Sequence, residues 1–195
     1  QEVEGEGDEK SNPLMRWFKK TDSKEPQLDD LSRMFELHIA GIRTKTDLKD
    51  IAELAKTYPA AKLMQQQALD ELKPLQYIRP LPPEIPAVKA GAKADKKKEK
   101  IPEVDIAVLF KNLAADVNPG QAKNDIMLIA QQDNKKNRKT VFKEGVKLLE
   151  KNDSLVTCAA VGGLFYNMTG QTPKDTAELL DCDKWVELGG KGKLK

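Results

Sequence analysis

The sequence predicts an all-α protein, short antiparallel helices in two small helical units joined by a linker rich in proline and lysine. Three observations carry that expectation. Apolar residues recur at intervals of three and four along most of the chain, the repeat that lines one face of an α-helix. Leu, Ala and Lys are abundant, β-branched residues are sparse and aromatics make up only 5%, which leaves little material for a sheet. Polar and proline-bearing breaks cut the pattern into pieces of about twelve to sixteen residues, the length of ordinary globular helices.

Residues 1–26 read as an acidic tail and a docking segment. "QEVEGEGDEK" is followed by "NPLMRWFKK", whose Leu14, Met15, Trp17 and Phe18 are too many apolar side chains for a solvated linker. Trp17 and Phe18 are therefore expected anchors on the protein's own core or on a partner chain. Arg16, Lys19 and Lys20 beside those rings would also suit a membrane surface.

Residues 27–76 read as a three-helix unit. Leu28, Leu31, Phe35, Ile39 and Ile42 share one face and are the expected core stripe of its first helix, which Gly41 ends. Thr44 or Thr46 caps a second helix with Leu48, Ile51, Ala52, Ala55 and Tyr58 inward. Pro59 suits the first position of a third, where its missing N–H costs nothing, and the stripe continues through Ala60, Met64, Ala68, Leu72 and Leu75. Residues 77–101 form the linker: Pro80, Pro82, Pro83 and Pro86 keep the chain extended, and six lysines against two acids follow between Lys89 and Lys100.

Residues 102–188 read as a helical bundle, with 189–195 as a flexible tail. Pro102 opens a helix carrying Ile106, Leu109, Phe110, Leu113 and Val117, and "NPG" at 118–120 restarts another with Ala122, Ile126, Ile129 and Ala130 inward. "QQDNKKNRK" is a polar break before a helix striped by Val141, Phe142, Val146 and Leu149. Asp153 or Ser154 caps "SLVTCAAVGGLFYNMTG", about fourteen apolar residues where a hydrocarbon core needs about twenty, so no transmembrane span is expected. A run apolar on every side is a central helix covered all round. Thr172, Pro173 and Asp175 form the start signal of a last helix through Ala177, Leu179 and Leu180.

No constellation names a reaction. His38, the only histidine, has no nucleophile paired with it, and Gly162-Gly163 and Gly189-Gly190 lack the spacing of a phosphate loop. No catalytic residue, cofactor or metal site is expected. Cys158 reads as a buried small hydrophobe and Cys182 as a partly exposed thiol, with a single bridge tying the last helices together as the alternative. The acceptor patterns at Asn152 and Asn167 read as chance matches. The 33 basic against 31 acidic residues leave a net +2, so nucleic acid is not implied. Gln1 in place of Met suits a processed chain of an organelle lumen, the periplasm or the exterior, or one trimmed at its start.

The expected function is that of a non-catalytic structural or interaction protein, an accessory subunit that bridges or stabilises other subunits of a larger complex. Trp17, Phe18, Trp185 and Leu188 are its expected anchors, and Lys96, Lys97 and Lys98 its acid-seeking patch. Two alternatives stand beside it. One is a soluble carrier whose apolar ligand rests on Gly162 and Gly163 with Phe165 and Tyr166 as the wall. The other is an accessory factor at a membrane surface or on RNA.

Overall fold

The chain is all-α, and the computed structural model describes residues 27–78 and 104–190. Among these are eight α-helices, two 3-10 turns and no strand. The chain divides into two compact units, Gln1–Glu71 and Leu72–Lys195. Trp17, Phe18 and Lys96, Lys97 and Lys98 lie outside the described residues.

The first unit holds α1 (Leu28–Ala40), α2 (Lys45–Ala55) and α3 (Pro59–Glu71). Gly41, at φ +83°, ends α1 in a conformation that side chains disfavour. Thr44 starts α2 with a capping box: its hydroxyl accepts from the Asp47 N–H at 3.1 Å, and the Asp47 carboxylate accepts the Thr44 N–H at 3.2 Å. The core gathers Met34, Leu37, Ile51, Tyr58, Ala60, Ala61 and Met64.

The facing of α1 differs from the expected one. Its inward residues are Met34 and Leu37, while Leu31 and Ile42 lie at the edge of the core and Leu28, Phe35 and Ile39 face out. Polar ties fix this rotation. The Tyr58 hydroxyl donates to Asp30 at 2.7 Å, and Arg33 Nη2 donates to Asp47 and Asp50 at 2.9 Å each, all from the side of α1 that meets α2 and α3.

The second unit begins before the linker. Pro74 cannot continue a helix, so α3 ends at Glu71 and a 3-10 turn, Lys73–Leu75, follows. Leu72 and Leu75, expected on the stripe of the third helix, instead belong to the second unit, where that turn meets α5 and α7. The unit continues with α4 (Ile106–Ala115), α5 (Pro119–Gln131), α6 (Arg138–Lys151), α7 (Leu155–Met168), a second 3-10 turn (Glu178–Leu180) and α8 (Cys182–Gly190). Asn118 caps α5 by accepting the Gly120 N–H at 2.7 Å, and Ser154 caps α7 through the Thr157 N–H.

Helix α7 is the axis of this unit: only Val156 and Asn167 among its residues are not buried. Neighbours approach it where its glycines leave room. A methyl on Gly162 would collide with the Leu179 carbonyl, and one on Gly163 with the Leu75 carbonyl and with Ile78, so both 3-10 turns lie backbone against helix. On α6, a methyl at Gly145 would come within 2.8 Å of the Phe165 ring edge.

The region after Gly170 departs from the expected helix. Residues 174–177 are bends and turns, because Asp175 accepts the Glu178 N–H at 3.0 Å and Glu178 accepts the Lys174 N–H at 2.6 Å. Such local side-chain bonds offer the backbone an alternative to the helix. Helix α8 then runs to Gly190, past residue 188 where the bundle was expected to stop.

Candidate interaction surfaces

The structure separates the sequence-derived candidates. Trp185, expected as an outward anchor, is 1% exposed: its ring meets Phe165 edge-on at 5.4 Å and Tyr166 at 5.3 Å, and Lys184 Nζ lies 4.8 Å above it. Phe142 packs on Phe165 at 4.8 Å and completes the aromatic cluster that fastens α6 and α8 to α7. Leu188 is half-buried on α8. Cys182, expected partly exposed, is buried like Cys158, and both are thiols.

Gly162, Gly163, Phe165 and Tyr166 are brought together on α7, and protein atoms already occupy their surroundings. Leu179 covers Gly162, Leu75 and Ile78 cover Gly163, and Phe165 is filled in by Phe142 and Trp185. What opens beside Gly163 and Tyr166 is a polar hollow of about 180 Å³ that Gln76, Asn167 and Thr172 also line. Its size and polar rim suit water rather than an apolar ligand.

Two surfaces emerge that the residue patterns alone did not single out. The first is the outward side of α1. Leu28 (77% exposed), Phe35 (41%) and Ile39 (68%) fall within about 40° of arc on a 3.6-residue helix, and Asp29 and Glu36 flank them on one side. Three large apolar side chains in one line form a continuous patch, unlike the single exposed residues of ordinary surfaces.

The second is a groove of about 810 Å³ along α6, floored by Phe142, Val146 and Gly189. A methyl on Gly189 would meet Val146 at 2.8 Å, so the end of α8 lies directly on α6 and closes one side. The walls carry Lys135, Arg138, Lys139, Lys143 and Lys147, with Glu150 the one acid. Arg138 is already engaged: it donates to the Met168 carbonyl and, at 3.4 Å, to Asp133. Burial raises the Asp133 carboxyl above its usual range, partly offset by the Arg138 charge. Lys147 reaches Glu144 at 3.8 Å, whereas Lys135, Lys139 and Lys143 have no carboxylate partner among the described residues. The missed signal was plain in the sequence: lysine stands at 135, 139, 143, 147 and 151, every fourth residue. Read as a polar break plus an amphipathic helix, the pattern hid this ladder.

Two carboxylates also meet away from both surfaces. Asp116, at the end of α4, hydrogen-bonds Asp125 on α5, and burial, that shared bond and the Asp125 charge together push its carboxyl up to about 6. The described residues contain no group of His, Cys, Asp and Glu side chains that could hold a metal ion. No helix among them is long and apolar enough to cross a membrane. No protein-family model, curated protein or solved structure matches the chain.

Proposed function

We propose that this chain is a non-catalytic helical interaction protein, an accessory subunit that attaches to a larger assembly through the outward side of α1. The observation that supports it is the line of Leu28, Phe35 and Ile39, apolar side chains left in solvent on a helix whose inward side is already satisfied. Fully burying one such side chain is worth about 1.5 to 3 kcal/mol, so a partner covering Phe35 and Ile39 gains an anchor from each. The flanking Asp29 and Glu36 favour a partner face that is apolar at its centre and basic along one edge, since like charges across an interface cost affinity.

The test is native mass spectrometry of the intact complex after gentle purification from the native source, with wild type beside a Phe35→Glu/Ile39→Glu variant. Wild type is expected in a stoichiometric protein complex and the variant as a separate chain, with the same far-UV circular dichroism because neither side chain belongs to the core. A wild-type chain that arrives alone, or carrying a small-molecule mass, would overturn the reading. So would a variant that stays in the complex.

A further inference from the structure

We infer that the lysine groove along α6 binds an extended acidic peptide, one that presents a carboxylate on every second residue. The inference rests on the groove and stands apart from the α1 surface. Two magnitudes select this occupant.

The first is spacing. Lysines four residues apart on a helix are about 6.0 Å apart along its axis. Alternate residues of an extended strand point the same way and are about 6.6 Å apart. From Lys139 to Lys147 the axial mismatch is about 1 Å over two steps, and the row turns about 40° around α6 at each step, so the strand crosses the helix obliquely and the flexible four-carbon lysine stems take up the rest. Lys139, Lys143 and Lys147 on α6 can thus each meet one carboxylate of a single strand, and Lys135, in the turn before α6, adds a charge at the end of the groove.

The second is width. From Arg138 to Glu150 the groove runs about 18 Å along α6 at helical rise, which divides its roughly 810 Å³ into a cross-section of about 45 Å². A strand with its side chains takes about 4.8 by 10 Å, or roughly 48 Å². A helix at least 10 Å across needs about 80 Å² and does not fit.

Other anionic partners lack their second requirement here. Single-stranded nucleic acid needs exposed rings on which bases stack, and Phe142, the ring in the groove floor, is buried. A lipid surface needs large apolar side chains beside the basic ones, and the exposed large hydrophobics include none on α6 or α8. A concave channel with three lysines that no described carboxylate engages and an apolar floor suits a peptide that lays small side chains inward and carboxylates along the wall.

The experiment is fluorescence anisotropy on the full chain at low and moderate salt, with two labelled, end-blocked peptides of equal length and equal charge. In one, glutamate and serine alternate; in the other, all the glutamates precede all the serines. The alternating peptide is expected to bind several-fold tighter than the block peptide and to weaken with salt. Lys139→Gln/Lys143→Gln is expected to lower its affinity about tenfold, while Lys49→Gln/Lys62→Gln, the same charge change on the first unit, leaves it unaltered. All four lysines are exposed, and circular dichroism checks each variant's fold. Equal binding of the two peptides, no binding of either, or equal loss from both lysine pairs would overturn the inference. So would tighter, Lys139- and Lys143-dependent binding of oligouridylate or of phosphatidylserine vesicles. A Phe35→Glu/Ile39→Glu chain is expected to bind the peptide normally, so failure at α1 and failure at the groove read separately.

Discussion

Asp116 carries the clearest electrostatic tension in the second unit. It caps the C-terminal end of α4, where the helix dipole already disfavours negative charge, and its Oδ2 is buried from solvent. With its folded-state pKa raised from 3.8 to about 6, the native state holds a proton that the unfolded chain releases earlier. The stability this contributes is fully present below about pH 4 and is lost as the pH rises through about 6. Asp116→Asn keeps a group that can donate to Asp125 without the charge. The variant is expected to be more stable than wild type by about 1 kcal/mol at pH 7, after allowance for solvent screening. Urea titrations at pH 4 and pH 7 should show that advantage only at the higher pH, and a variant equally destabilised at both would refute the assignment. Trp185 marks how residue-scale reading fails. An aromatic near a chain end looks like an anchor, but nothing in the local pattern reveals that α8 turns this ring onto Phe165 and Tyr166.

Four helix starts were legible and helix facings less so, because caps act within a few residues while facing depends on distant partners; α4, expected to open at Pro102, starts at Ile106 with Asp105 accepting the Ala107 N–H, and Val117 lies past its end and is exposed. Thr44, Pro59, Asn118 and Ser154 mark their helices through bonds or φ preferences written into adjacent positions. The rotation of α1 is set instead by Asp30 and Arg33 reaching side chains 14 to 28 residues away. The start signal at Thr172 leads instead into the turns that Asp175 and Glu178 hold, ahead of the 3-10 turn whose Leu179 carbonyl lies on Gly162. The burial of α7 was legible from its all-round apolarity, yet that reading gave no hint that its two glycines serve two separate 3-10 turns. Gly162→Ala tests this element-scale contact. The atom in the way is backbone, so relief requires the whole turn to move, and a loss of about 1 to 3 kcal/mol is expected. Ala160→Gly, a change on the same helix that removes a buried methyl instead of adding one, sets the opposite scale, about 1 kcal/mol of helix propensity plus about 0.8 kcal/mol of lost burial. Equal melting temperatures for Gly162→Ala and wild type would remove the close approach from the account.

At the scale of the whole chain, the division at Glu71 places residues 72–78 in the same unit as the helices from Ile106 onward. A boundary read from composition separates residues up to 76 from residues 102 onward, since prolines and lysines are what a linker is made of. Packing follows a different line: Leu75 is fully buried and Ile78 nearly so, both against Gly163, and Gln76 Nε2 donates to the Pro173 carbonyl at 3.2 Å in a buried site. A fragment of residues 102–195 would bare that side of α7 and leave the Pro173 carbonyl without its donor. Losing the burial of two large aliphatic side chains costs at most about 3 to 6 kcal/mol, and exchanging the Gln76 bond to the Pro173 carbonyl for water adds about 1 kcal/mol. That sum approaches the entire stability of a small domain, about 5 to 15 kcal/mol. A fragment of residues 72–195 is therefore expected to unfold cooperatively in urea, whereas residues 102–195 should show a much lower midpoint or a broad, non-cooperative transition. Adding a synthetic peptide of residues 70–80 should raise the midpoint of the shorter fragment, because it restores the covering of Gly163 without the linker. Identical midpoints for the two fragments would mean that residues 72–78 rest on α7 without supporting it, and the linker would then separate the units as composition alone suggests.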